Sequence, residues 1–95
     1  MKQYTSKDQT AKLIELGFPE PSPKYIHIGG VSYDSNHNYS IGELIEFLYC
    51  YNFPLSIYGL KGATWQVWAE NKIWETELID ALFNMCVTLK EERVI

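Results

Sequence analysis

Nowhere do the 95 residues hold the roughly eighteen consecutive apolar side chains that a membrane-crossing helix needs. The opening Met1-Lys2-Gln3-Tyr4-Thr5-Ser6-Lys7 has charge with no apolar stretch behind it, so neither a secretory leader nor a membrane association is expected, and a cytosolic protein is. Cations are few and dispersed: eight Lys and Arg run from Lys2 to Arg93 against twelve Asp and Glu, for a formal charge of -4. A nucleic-acid binder needs clustered cations to displace counterions from phosphate, so direct DNA or RNA binding is disfavoured. The acids are in turn too dispersed for a DNA mimic.

Metal-binding and nucleophilic side chains are just as sparse. The two histidines, His27 and His37, lie ten apart, and the two cysteines, Cys50 and Cys86, are too distant in sequence for a zinc knuckle. Neither catalytic residues nor a cofactor is expected. In a reducing compartment both thiols read as free, with Cys86 on a buried helical face and Cys50 just past a helix end. Asp34-Ser35-Asn36-His37-Asn38 starts like a calcium loop but has Tyr39 where the motif needs Gly and Ile45 where it needs Glu, so a polar turn is the better reading. Gly29-Gly30 lacks any phosphate-binding context and reads as a bulge within a strand from Lys24 to Tyr33.

What is present is a helical pattern used three times. Leu-Ile-acid recurs at Leu13-Ile14-Glu15, Leu44-Ile45-Glu46 and Leu78-Ile79-Asp80, each with apolar neighbours at helical spacing and the carboxylate opposite. The carboxylates could serve as an acid–base pair, but they sit on the faces expected to meet water. Ser6 or Thr5 caps the first helix, which stops at Gly17 with Phe18 as its apolar contact. Pro19, Pro21 and Pro23 follow as an extended strap rather than a docked ligand. Ser40 with Glu43 forms a capping box for the second helix, and Tyr39 can staple onto Leu44. Thr76 is the expected cap of the third, whose broad stripe (Leu78, Ile79, Leu82, Phe83, Met85, Cys86 and Leu89) marks it as the central packing element.

Between the second and third helices the period changes to two. Phe53, Leu55 and Ile57 point one way and Pro54, Ser56 and Tyr58 the other; Trp65, Val67 and Ala69 then alternate with Gln66, Trp68 and Glu70. Leu60 to Ala63 is one turn, Asn71-Lys72 a second, and Ile73-Trp74 an optional short strand. Residues 25 to 59 also permit a strand–helix–strand crossover. The expected fold is a single domain, residues 1–95, of α+β class. It is a two-layer sandwich in the order α-β-α-β-β-(β)-α, with three helices mainly on one face of a three- to four-stranded mixed or antiparallel sheet.

Aromatics make up 15% of the chain, and eight of the fourteen fall between Phe47 and Trp74. Alternation buries Phe53 and Trp65 but sends Tyr58 and Trp68 to the opposite sheet face, beside Ser56 and Gln66. Left uncovered, these four residues form an interaction surface for a protein partner or for self-association. Two further readings compete with a non-enzymatic interaction protein: a small enzyme using Cys50 or a His–carboxylate pair, and a weak single-stranded nucleic-acid binder stacking bases on Tyr58 and Trp68.

Gln9 to Gly17 with Pro19 and Pro21, the run Tyr39-Ser40-Ile41-Gly42-Glu43-Leu44-Ile45-Glu46, Trp65 to Val67 and Glu77 to Phe83 together resemble a group of uncharacterised small proteins. These are encoded by prophages and other mobile elements of Bacteroides-type bacteria. The resemblance implies a mobile-element accessory protein and transfers no activity or catalytic residue. Group members often have a proline directly after the second helix, whereas here Leu48 to Phe53 precede Pro54.

Overall fold

In the computed structural model, which describes residues 2–22, 24–50, 55–62 and 64–93, the first two helices begin at serines nominated by the sequence. For α1 (Lys7–Glu15) the Ser6 frame wins: Gln9 N–H donates to Ser6 Oγ at 3.1 Å, and Ser6 N–H donates to Gln9 Oε1 at 2.9 Å. Ser40 and Glu43 do the same for α2 (Ile41–Tyr49). Each pair satisfies two backbone donors that a helix start leaves unpaired. At the far end of α1, Gly17 adopts φ +95°, and the Gly17 and Phe18 N–H groups donate back to Ile14 and Leu13 at 3.0 and 3.1 Å. This is the expected Schellman stop, and it turns Phe18 into the core.

The third helix, α3 (Leu78–Glu91), is the hub. Leu78, Ile79, Ala81, Leu82, Met85, Cys86 and Leu89 are all buried along it, and it packs against α1, α2 and the sheet. That sheet is an antiparallel meander of β3 (Leu55–Gly59), β4 (Trp65–Ala69) and β5 (Lys72–Thr76), with β4 central. Val67 and Ala69 are buried against the helices, and Leu55, Ile57 and Trp65 pack at the margin of the same core. On the helical side Phe18, Tyr39 and Phe47 form an aromatic cluster with ring centroids 5.4 and 5.5 Å apart, and the Lys90 ammonium lies over the Phe18 ring. Burial, with Glu43 and Glu20 nearby, pushes the Tyr39 phenol up to about 12, so it remains the donor to the Pro19 carbonyl. The class is α+β, as the patterning implies.

Several local expectations are corrected. Gly29-Gly30 is a two-residue hairpin turn rather than a bulge: Ile28 pairs with Val31, and both glycines have positive φ, +58° and +80°. The single strand therefore splits into β1 (Lys24–Ile28) and β2 (Val31–Asn36), and Asp34 to Asn36 belong to β2 rather than to a polar turn. This ribbon is a separate two-stranded sheet, so no crossover joins it to β3. Thr76 does not cap α3. It is the last residue of β5, opposite Trp65, and Glu77 takes the cap position with no side-chain bond. Ile14 lies 41% exposed because the short α1 meets the core mainly through Leu13, Leu16 and α3. The expected placements of Phe53, Pro54, Pro23 and Ala63 lie outside the described residues.

Polar staples hold the amino-terminal third onto this frame. Tyr4 bridges Ser40, Thr5 N–H donates to the Tyr39 carbonyl at 2.9 Å, and Tyr39 N–H returns to Thr5 Oγ1 at 3.0 Å. The buried Thr5 and Thr10 hydroxyls are 2.7 Å apart. Asp80, on the third copy of the helical pattern, accepts from Gln9 at 2.9 Å and Lys2 at 3.1 Å, so it is a structural ligand rather than a solvated charge. Glu43 does most: besides its capping bond it accepts from Ser22 N–H at 3.0 Å and pairs with the Lys24 ammonium, fastening the base of the ribbon to α2.

Two outcomes follow. Leu82→Ala removes a fully buried side chain from the hub helix and is expected to cost about 2–5 kcal/mol, read from the denaturant midpoint. Burial of Glu43 opposes its ionisation, but the Lys24, Ser22 and Ser40 donors outweigh it and hold the carboxyl below its usual value. A carboxyl lowered on folding stabilises above its unfolded pKa, and the contribution disappears as pH falls through the folded value. The stability gap between wild type and Glu43→Gln should therefore be full at neutral pH and close as pH drops below about 4.5. Equal gaps at pH 7 and pH 3 in urea titrations would contradict this assignment.

Candidate functional site

Strand alternation and register build the second face of the meander. Ser56 pairs with Trp68 and Trp68 with Ile73; Tyr58 pairs with Gln66 and Gln66 with Glu75. Paired residues share a face, so two rows, Ser56-Trp68-Ile73 and Tyr58-Gln66-Glu75, lie side by side away from the helices. The four residues singled out from sequence (Ser56, Tyr58, Gln66 and Trp68) are brought together there. Tyr58 is 55% exposed, Trp68 44% and Ile73 43%.

The face is not flat. Ser56, Tyr58, Leu60, Gln66 and Trp68 line an open concavity of about 580 Å³. A neighbouring hollow of about 390 Å³ runs from Ser56 and Trp68 over Ala69 to the Glu70-Asn71 turn. Ser56 and Trp68 line both, and Trp68 is the large side chain they share. Its indole N–H donates to Gln66 Oε1 at 3.1 Å, and Gln66 Nε2 donates in turn to Glu75 Oε2 at 3.2 Å. This relay crosses the strands and aims the indole toward the Tyr58 row. An aromatic so tethered has less rotamer freedom to lose when something settles on it.

Sequence reasoning put Glu70 on the Trp68 face but missed Ile73, Glu75 and Leu60 as members of this surface. The expected turn tip, Asn71-Lys72, is one residue late: the observed tip is Glu70-Asn71, with Ala69 paired to Lys72. That displaces the pairing by two positions and so preserves the faces; Ile73 and Glu75 were missed because the last strand was read only as an optional Ile73-Trp74 pair and given no face. For the tip, Asn71 was the available signal, since asparagine tolerates the left-handed backbone it adopts, φ +64°. Glu70 is left-handed too, at +47°, where a β-carbon is unfavourable.

Among the described residues, the side chains considered for catalysis are scattered. Cys50 is exposed at the carboxyl-terminal cap of α2, and Cys86 is buried in α3. Reactive cysteines draw on cations or a helix amino terminus; Cys50 occupies the opposite end of a helix. Burial pushes the Cys86 thiol up to about 12. His37 is exposed between β2 and α2, while the His27 side chain lies outside those described. Glu15 and Glu46 are exposed on separate helices, apart from the bonded Asp80. Among the described residues, no three His, Cys, Asp or Glu side chains gather as a metal site requires, and no helix is long and apolar enough to cross a membrane.

No protein-family model, curated protein or solved structure matches this chain. The cysteine environments make a direct prediction. Titration with a chromogenic disulfide reagent should find one accessible thiol per native chain, at Cys50, and two after unfolding. Two fast-reacting thiols in the native state would show that α3 is not packed as described.

Proposed function

We propose that this protein is a non-enzymatic interaction module that binds a protein partner through the outer face of β3, β4 and β5. Tyr58 and Trp68 are its anchors, and Ser56 and Gln66 supply polar contacts at their feet. One observation carries the reading: two large aromatics, each about half exposed, flank a concavity on the sheet face turned away from the helices. Tyr and Trp bury large area at small entropic loss, and they dominate the energetically critical positions of protein interfaces. Among the described residues, the cysteines, histidines and carboxylates supply no comparable constellation for chemistry.

The setting rests on the resemblance of Tyr39 to Glu46 and its flanking segments to prophage and mobile-element proteins. In that setting the chain is a cytosolic accessory protein acting on a protein made by the element or its host.

Position-specific photocrosslinking tests the surface. A benzophenone side chain introduced at Ser56 should yield a discrete adduct in native cells, and one at Glu15, on the exposed side of α1, should not. With the partner identified and purified, truncating one anchor at about 2 kcal/mol lowers affinity about thirtyfold, so Tyr58→Ser with Trp68→Ser should lose at least that much. Circular dichroism checks that the double variant is folded. A folded double variant with undiminished affinity, or the same adducts from both crosslinking positions, defeats the proposal.

A further inference from the structure

The outer face has a size and a charge that narrow what can sit on it. Three strands about 4.8 Å apart and five residues long make a face of roughly 14 by 17 Å. Even doubled for side-chain relief, that is about 500 Å², short of the roughly 800 Å² each partner buries in a standard interface. A second copy held by this face alone would not be a stable dimer. The dimensions suit a short segment of chain instead.

Charge then selects the segment. Glu70 borders the hollow on one side of Trp68, and Glu75 ends the hydrogen-bonded relay from its indole. Most described cations are committed elsewhere: Lys2 to Asp80 and Glu77, Lys24 to Glu43, Lys72 to Glu92, and Lys90 over Phe18. Lys7 and Lys12 belong to α1, which packs on the helical side, and Arg93 follows α3. Lys72 adjoins Ile73 but is paired with Ala69, on the side of the helices, and Lys61, in the turn after Leu60, stands at the end opposite Glu70. The Trp68 half of the surface is therefore aromatic and acidic together. A cation over an indole is attracted by the ring quadrupole, and carboxylates on either side add to that attraction.

Resting on the interaction-module reading, we propose that the partner presents a short basic segment here. One Arg or Lys side chain lies over the Trp68 indole between Glu70 and Glu75, and an apolar neighbour fills the concavity against Tyr58 and Leu60. The backbone at Glu70 adds weight. Asparagine or glycine would adopt this left-handed turn position with less strain, yet the chain carries a carboxylate there.

The test uses three uncapped-charge analogues of single residues: the N-acetyl amides of arginine, leucine and glutamate, titrated into the isotopically labelled full chain. The arginine derivative should shift the Trp68 indole resonance in a saturable manner that weakens in high salt. Glu70→Asn and Glu75→Gln should each weaken it about three- to fivefold, the scale of an exposed ion pair. Glu70→Asn relaxes the turn, and Gln at 75 can still accept from Gln66, so neither loss is attributable to misfolding. Equal shifts from the leucine or glutamate derivative overturn the basic preference while leaving the docking face intact. Silence from all three overturns the cation site, whereas the docking reading itself stands or falls on the Ser56 crosslink. In that crosslink the adduct peptide should contain Arg or Lys; an acidic adduct peptide also overturns the inference.

Discussion

One helix layer and one three-stranded sheet share a single core, and that limit shapes the rest of the molecule. A chain of 95 residues has apolar surface for one such core and little beyond it. Here the core is gathered on α3, whose buried side chains meet both other helices and the inner sheet face. With the helices on that side, the other sheet face is left to water, and half-exposed Tyr58, Trp68 and Ile73 stand on it. Antiparallel sheets tolerate this arrangement when the wet face is polar. An aromatic wet face is the departure from the rule, and the departure is what invites a functional explanation.

The helices need more than the apolar core to stay in register with one another. α1 is nine residues long, too short to be stable alone, and it touches the hub through few side chains. Its position is set by polar side chains that work twice. Gln9 closes a capping box and reaches Asp80; Glu43 closes another and holds Ser22 and Lys24. Each is a helix-start residue whose second bond joins elements distant in sequence. This explains how a capping signal legible over four residues also specifies tertiary arrangement. Among the described residues the three-stranded sheet has no such staple on its outer face apart from the Trp68-Gln66-Glu75 relay, so what fixes that surface is the burial on its opposite side.

The division between what was legible and what was not follows the range of the physics. Caps at Ser6 and Ser40, the Schellman stop at Gly17 and the breadth of the α3 stripe depend on neighbours within a turn or two of helix, and the structure bears each of them out. The faces of β3 and β4 depend only on alternation, so Ser56, Tyr58, Gln66 and Trp68 were legible as a group. Errors arise where two accounts of a short segment differ by one residue or one partner. Paired glycines suit a bulge as well as a hairpin tip, and only the pairing of Ile28 with Val31 decides. Thr76 is a good cap in isolation, but strand pairing with Trp65 claims it first. At the β4–β5 turn the expected tip is one residue late, which preserves the faces; Ile73 and Glu75 were missed because β5, read as an optional two-residue strand, was given no face, and its full length is decided only by pairing with β4.

The full length of β5 also changes what the surface means. With only Tyr58 and Trp68, an exposed aromatic pair would accept any apolar or stacking partner, a nucleobase included. The observed pairing puts Glu75 in the same row as Tyr58 and Gln66, and Glu70, on the Trp68 face by alternation, borders the hollow beside it. Carboxylates at both places repel a phosphate backbone at close range, which disfavours single-stranded nucleic acid on local grounds as well as on net charge. The same carboxylates favour cations over neutral apolar groups. On the proposed reading, the patch would discriminate by charge through residues placed by β5 and the β4–β5 turn. A left-handed glutamate beside a hydrogen-bonded indole is strain of the kind that gathers at binding sites, and the proposed cation site gives it a use that folding alone does not.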